Sequence, residues 1–379
     1  MSSPIQKLCA EGMPSLEKID AFLAKHSVPI VEDQRVTFIF RGDLKAVFLQ
    51  HFIYGLESTR PFERIEGTDL WHLEMEIPRE SRVEYKLQLE HADGRRELVR
   101  DPLNEAVAHD PFGSNSVCAG AGYERPLWTL ENNDTRPGTL EHRRIQSHAF
   151  GNRREVSVYL PARYRKSGRY PLLVVHDGMD YLRFSSLKTV LDNLIHRLEI
   201  PPMVVALTGS SDRLHEYADD PRHAAYIAEE LVPAMEQRYS LVSHADARGL
   251  MGASFGGVAA LSTAWRYQGT FGRLLLQSGS FAFTDIGVNP RGPDFDPVVR
   301  FMNEFRKDPG RPAERLFLSC GTYESLIYEN RSLVPRLQQA GMSLRFVEAR
   351  DGHNWENWRD RLREGLSWLF PGPLWMVYE

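Results

Sequence analysis

Residues 248–263, Arg-Gly-Leu-Met-Gly-Ala-Ser-Phe-Gly-Gly-Val-Ala-Ala-Leu-Ser-Thr, decide the fold. Gly249, Leu250 and Met251 form a short apolar run of the kind that makes a buried strand. Val258, Ala259, Ala260 and Leu261 form a small, helix-favouring run. Between them stands Gly252-Ala253-Ser254-Phe255-Gly256, a G-x-S-x-G at a strand-to-helix junction. A serine on such a sharp turn projects its hydroxyl above the sheet. A Cβ at the flanking positions would strike neighbouring backbone, which is why they are glycine. The following helix aims its free N–H groups and positive dipole end at charge developing near that hydroxyl. A Gly-rich turn with an incidental serine has the same pattern, so the rest of the chain must decide.

Working outward on both sides, the pattern from about residue 141 alternates strand and helix. Strands are predicted at 142–149, 154–160, 171–176, 203–208, 248–253, 273–278, 315–320 and 343–348, and helices at 186–198, 223–239, 255–266, 329–340 and 354–369. This succession implies a mostly parallel sheet covered on both faces. Only a hairpin separates the first two strands, so that edge is antiparallel. A mixed, mostly parallel eight-stranded sheet with the serine after its fifth strand is an α/β-hydrolase arrangement.

The texture before residue 100 is different. A short amphipathic helix with Ser15 as N-cap spans 15–26, followed by strand-like runs at 36–40, 46–49, 70–75 and 83–89, with a hairpin turn at 91–94. The reading is a helix plus a small all-β, Ig-like sandwich over 1–105, a Pro-, Gly- and Asn-rich linker over 106–140, and the α/β-hydrolase domain over 141–379.

Composition narrows the function. A net charge of −5 supplies no basic field for nucleic acid. Three widely spaced cysteines, Cys9, Cys118 and Cys320, make neither a disulfide framework nor a metal site, and no cofactor or metal is expected. No apolar run approaches the ~18 residues of a membrane span. The first twenty residues lack an apolar region after Lys7, so a cytoplasmic protein is expected. Oligomeric state is not legible.

A serine nucleophile needs a base, an orienting acid and an oxyanion hole. In hydrolases of this order the acid and then the histidine follow the serine. Among thirteen histidines only His353 follows Ser254, in the loop between the last strand and the last helix. The acid should leave the preceding strand. Glu324 does so within Gly321-Thr322-Tyr323-Glu324; Glu329 competes from the next helix, and Asp351 is too near His353 in sequence. One oxyanion donor is the N–H of Phe255. The second is that of Gly178 or Met179, in the loop after the strand ending at Val175.

His176-Asp-Gly-Met-Asp-Tyr181, Arg213 with Glu216-Tyr217, Glu229-Glu-Leu-Val-Pro233, Gly252-Ala-Ser-Phe-Gly-Gly257, Gln277-Ser-Gly-Ser280 and Asp351-Gly-His-Asn-Trp355 occur in one order. Together they resemble the esterase-D-like hydrolases, most closely the enterochelin (enterobactin) esterase family, over residues 141–370. The resemblance implies Ser254 as nucleophile, His353 as base and Glu324 as acid. It also implies Gly178 and Met179 at the oxyanion loop and Arg213 near the substrate mouth. The implied substrate is a small-molecule ester, a catecholate siderophore trilactone whose iron would arrive with it. An acyl, feruloyl or acetyl ester is the alternative within the same chemistry, and a non-catalytic binding protein the alternative of another class. Two further readings concern the surface. Arginines and a lysine between Arg143 and Arg169 read as a solvated face of the two edge strands, and residues between Phe281 and Arg300 as a lid or substrate wall.

Overall fold

The computed structural model describes residues 3–284 and 291–373. These residues divide into two compact units. One holds residues up to 124 together with loops 321–325 and 349–354; the other holds the remainder.

The first unit opens with α1 (Pro4–Leu8) and α2 (Leu16–Lys25). Ser15 caps α2, its side chain accepting the Lys18 N–H at 3.3 Å. Ten strands follow among the described residues: β1 (Ile30–Glu32), β2 (Arg35–Arg41), β3 (Ala46–His51), β4 (Thr59–Pro61), β5 (Glu63–Arg64), β6 (Leu70–Glu76), β7 (Arg82–Glu90), β8 (Arg96–Val99), β9 (Val107–Asp110) and β10 (Gly113–Ala119). They form two antiparallel sheets, β1-β2-β6-β5 and β4-β3-β7-β10-β9, with β8 also paired to β7. Alternation along β7 buries Val83, Tyr85, Leu87 and Leu89 against Val36, Phe38 and Trp71 of the other sheet. The Phe38 and Tyr85 rings meet edge to face at 5.0 Å.

Residues 107–119, expected as linker, form β9 and β10 instead. Cys118 pairs with Val83 and Ser116 with Tyr85, so β10 is a neighbour of β7. The polar run Gly113-Ser-Asn-Ser116 resembles a turn locally, and its strand state depends on a partner strand well before it in the chain.

The second unit contains, but for the last residue of β17 and of β18, β11 (Thr139–Gln146), β12 (Arg153–Leu160), β13 (Leu172–Val175), α3 (Gly178–Phe184), α4 (Leu187–His196), β14 (Val204–Thr208), α5 (Arg213–Glu216), α6 (Pro221–Ala225), α7 (Val232–Arg238), β15 (Arg248–Ala253), α8 (Phe255–Arg266), β16 (Arg273–Gln277), α9 (Asp296–Lys307), β17 (Arg315–Gly321), α10 (Ile327–Gln339), β18 (Ser343–Ala349) and α11 (Trp355–Leu369). A π-helical stretch, Tyr226–Leu231, joins α6 to α7. The eight-stranded sheet runs β11-β12-β14-β13-β15-β16-β17-β18. β12 is antiparallel to both β11 and β14, and the pairs from β14 through β17 are parallel. This is the expected mixed sheet.

Both faces of the sheet are covered, so its strands read as continuous apolar runs. Leu172, Val174, Leu250, Leu274, Leu276, Leu316 and Leu318 pack on the side of α7, α8, α9 and α10. Leu173, Val175, Met251, Leu275 and Phe317 pack on the side of α3, α4 and α11. The arginine-rich edge is not wholly solvated. Arg154 is buried and its guanidinium bonds Glu216 at 2.7 Å. The region expected as a lid lies partly outside the described residues (285–290); its end is α9, whose Val298, Phe301, Met302 and Phe305 are core. No helix among the described residues is long and apolar enough to cross a membrane.

Candidate active site

Ser254 stands where the sequence places it, between the end of β15 and the start of α8. Its backbone has φ 57° and ψ −124°, a strained conformation for a residue with a side chain. The surroundings over-determine it: the Ser254 N–H donates to Gln277 O at 3.0 Å, and its own carbonyl accepts from Gly257 and Ser280, each at 3.1 Å. The glycine requirement is severe at Gly252, where a Cβ would lie 2.2 Å from the Gly256 carbonyl oxygen. The Ser254 hydroxyl lies 3.2 Å from that of Ser280. Phe255 is the first residue of α8, a position whose N–H has no intrahelical acceptor.

The predicted oxyanion loop is more ordered than a loop. Asp177 takes a left-handed conformation (φ 53°), and Gly178 already opens α3. A Cβ on Gly178 would meet Leu207 Cα at 2.5 Å, so only glycine lets α3 start so close to β14. Gly178 and Met179 occupy the first two helical positions, whose N–H groups are likewise not consumed by the helix. Gly178 is buried and Met179 exposed, with its sulfur accepting from the Ser157 hydroxyl at 3.3 Å. Arg213 is engaged: Nε and a terminal nitrogen donate to one Asp177 oxygen at 2.9 and 2.8 Å, and the latter nitrogen also reaches the Ala253 carbonyl at 3.3 Å. It ties the oxyanion loop to the residue before Ser254.

A buried histidine pair, which nothing local in the sequence marks, anchors the same loop. His176 Nδ1–H donates to the Met251 carbonyl at 3.0 Å, so its Nε2 accepts from His223 Nε2–H at 3.1 Å. Burial holds both imidazoles below the usual histidine range, His223 well below it, with His176 and Arg154 adding to the effect on His223. The unfolded chain takes up these protons near pH 6.5 and the folded chain does not. Stability is therefore full above about pH 6.5 and falls below it, by up to about 1.4 kcal/mol per pH unit for each histidine. Thermal melts at pH 7.5 and 5.5 should show a lower midpoint at 5.5, and His223→Phe should flatten that dependence.

Glu324 and His353 belong to the first unit, in loops that follow β17 and β18. They meet: His353 Nδ1–H donates to Glu324 Oε2 at 2.7 Å. The second Glu324 oxygen accepts the Gly321 N–H at 2.6 Å, and the carboxylate is almost fully buried. Nε2 is then the acceptor nitrogen of a neutral His353, the state a general base requires. The competitor Glu329 is instead bonded to Arg291 Nε at 3.1 Å. Asp351 is occupied by its own loop: its Oδ1 accepts from the Gly352 N–H and Asn354 Nδ2, each at 2.7 Å.

A serine on a strained strand-to-helix turn, on a sheet of this order, defines the α/β-hydrolase class. The esterase family matches residues 147–369, more than half of the chain, and the N-terminal domain of enterochelin esterase matches residues 35–131. The chain belongs to this esterase family and is a carboxylic ester hydrolase resembling enterochelin esterase. It is 26% identical over 335 residues to an iron(III) enterobactin esterase of Escherichia coli, covering 81% of each chain. It is 25% identical over 404 residues to that of Dickeya dadantii, covering 92% of each. The enterobactin esterase of Shigella flexneri, solved in the presence of enterobactin, shares the fold at a TM-score of 0.71 and 21% identity, over 91% of this chain and 94% of that one.

Proposed function

We propose that this chain hydrolyses the ester bonds of a catecholate siderophore trilactone through Ser254, His353 and Glu324. Ser254 Oγ attacks the ester carbonyl while His353 Nε2 takes the hydroxyl proton. The tetrahedral oxyanion is held by the N–H of Phe255 and that of Gly178 or Met179, each such donor contributing ~2.7–4 kcal/mol to the transition state. The departing alkoxide takes the proton from His353, leaving an acyl-serine. Water, deprotonated by His353, then attacks the acyl carbon and frees Ser254. Glu324 holds the imidazole tautomer and offsets the imidazolium charge. Iron travels with the substrate.

The observation that carries this reading is the pairing, in one chain, of the strained Ser254 turn with a module matching the enterochelin esterase N-terminal domain. A cavity of about 790 Å³ beside Met179 adds support, with His142, Arg144, Arg153 and Ser157 on its wall. Arg144 is bridged to Glu155 at 3.1 Å, whereas Arg153 is exposed and has no side-chain bond among the described residues. That wall suits an anionic ligand. A second cavity of about 600 Å³, lined by Trp265, Arg266 and Tyr267, lies at the far end of α8 from Ser254 and suits no role in the reaction.

The test is hydrolysis of enterobactin, free and iron-loaded, beside methyl ferulate and p-nitrophenyl acetate. Release of dihydroxybenzoylserine at a kcat/KM well above that for the simple esters is expected. Arg153→Ala should raise KM for the iron-loaded substrate about five-fold, the factor of ~1 kcal/mol for an exposed charge pair, and the difference should shrink in high salt. Cleavage of methyl ferulate alone would replace the siderophore by a feruloyl ester.

A further inference from the structure

The loops carrying Glu324 and His353 group with the β-strand unit, and the bonds that hold them there converge on two residues at the start of β7. Arg82 is 1% exposed, an unusual state for a charged side chain. Its backbone N–H donates to the Arg350 carbonyl at 2.9 Å. One guanidinium nitrogen donates to Asn354 Oδ1 at 3.0 Å and approaches Asp351 Oδ1 at 3.4 Å, while another donates to Glu84 at 3.0 Å. These bonds bracket His353 from both sides in sequence. Ser81 Oγ lies 2.6 Å from the Tyr323 hydroxyl, and Tyr323 immediately precedes Glu324. The Tyr323 carbonyl accepts the Tyr54 N–H at 2.8 Å, and its own N–H donates to the Asp351 carbonyl at 3.1 Å. One short segment at the start of β7 thus grips both loops.

We propose that Ser81 and Arg82 are positioning residues, which set the Glu324–His353 pair in its working geometry. This rests on the triad reading above. Burying a guanidinium carries a desolvation cost that an apolar side chain would avoid. What an apolar side chain lacks is direction. Arg82 fixes Asp351 and Asn354 at defined distances from a strand that is itself paired to β3, β8 and β10. A side chain on so rigid a strand limits the excursion of His353, and a misplacement of about 1 Å in a catalytic group costs up to about a hundred-fold in rate. Burial also pushes the Asp351 carboxyl up to about 7, against the opposing pull of Arg82, Asn354 and the Gly352 N–H.

The experiment compares wild type, Arg82→Met and Ser81→Ala on p-nitrophenyl acetate and on enterobactin. Arg82→Met should lower kcat about ten- to a hundred-fold on both esters with KM within about two-fold, because no group that binds substrate is removed. In a Glu324→Gln background the same change should cost less than about two-fold, because the geometry it protects is already lost. A wild-type kcat in Arg82→Met, or an equal loss in both backgrounds, overturns the proposal. If Arg82→Met does not fold, Ser81→Ala and Tyr323→Phe carry the test: each should fold and lower kcat several-fold, and unchanged kcat in both overturns it. Ser254→Ala and His353→Ala run alongside. If those two retain turnover the triad reading fails; if they abolish it while Arg82→Met and Ser81→Ala match wild type, only this inference fails.

Discussion

Ser254→Ala is expected to lower kcat for ester hydrolysis by about 10⁴- to 10⁶-fold, the range seen when a serine nucleophile is deleted. The fold should survive. Ser254 holds φ 57° through backbone bonds to Gln277, Gly257 and Ser280, and alanine keeps all of them. The substitution removes a hydroxyl that lies 3.2 Å from the Ser280 hydroxyl, a long and weak hydrogen bond. A melting midpoint within about a degree or two of wild type, with ester turnover at background, is the expected pair of results. A kcat within ten-fold of wild type would remove Ser254 from the mechanism.

The second large effect is Glu324→Gln, expected to cost about 10⁴-fold in kcat, as for the equivalent change in other triads. The direction follows from the two oxygens. One accepts the Gly321 N–H and must remain an oxygen in the amide. The NH₂ is therefore turned toward His353 Nδ1, where a proton donor now stands. The ring can accept there only by shifting its proton to Nε2, and a protonated Nε2 cannot take the proton of Ser254. Glu329→Gln is the control: its partner is Arg291, and kcat should stay within about three-fold. Steady-state kinetics on the two variants, with p-nitrophenyl acetate, separates the acids. Equal losses would contradict the assignment of Glu324.

Much of the molecule is legible where one local pattern suffices. The strand 248–253 and the helix 255–266 coincide with β15 and α8, because a glycine-flanked serine separates two apolar runs of different texture. His353 is legible by elimination and Glu324 by its place after β17. Their pairing across 29 residues, the difference between 353 and 324, is expected from the serine–acid–histidine order, and the two side chains bond at 2.7 Å; what the sequence does not show is the Gly321 N–H that holds the second carboxylate oxygen. α3 resembles a loop in sequence because it is short and opens on Gly178. α9 is hidden behind a Pro-, Gly- and Asp-rich approach, although Val298, Phe301, Met302 and Phe305 hold a helical spacing.

Buried polar partners are the least legible. Nothing local marks Arg82, whose acceptors Asp351 and Asn354 lie more than 260 residues on. Resemblance sets Arg213 near the substrate mouth, and its two bonds to Asp177 give it a structural duty at the oxyanion loop. His176 and His223 are ordinary histidines in sequence, and only burial makes them a neutral pair with fixed tautomers.

The most direct test of Ser254 as nucleophile is covalent. The active protein is treated with a serine-reactive fluorophosphonate and its proteolytic peptides are examined by mass spectrometry. A single adduct on Ser254, absent from Ser254→Ala and formed at least a hundred-fold more slowly in His353→Ala, is the predicted result. An adduct on another residue, or a fully active protein that takes none, would contradict it.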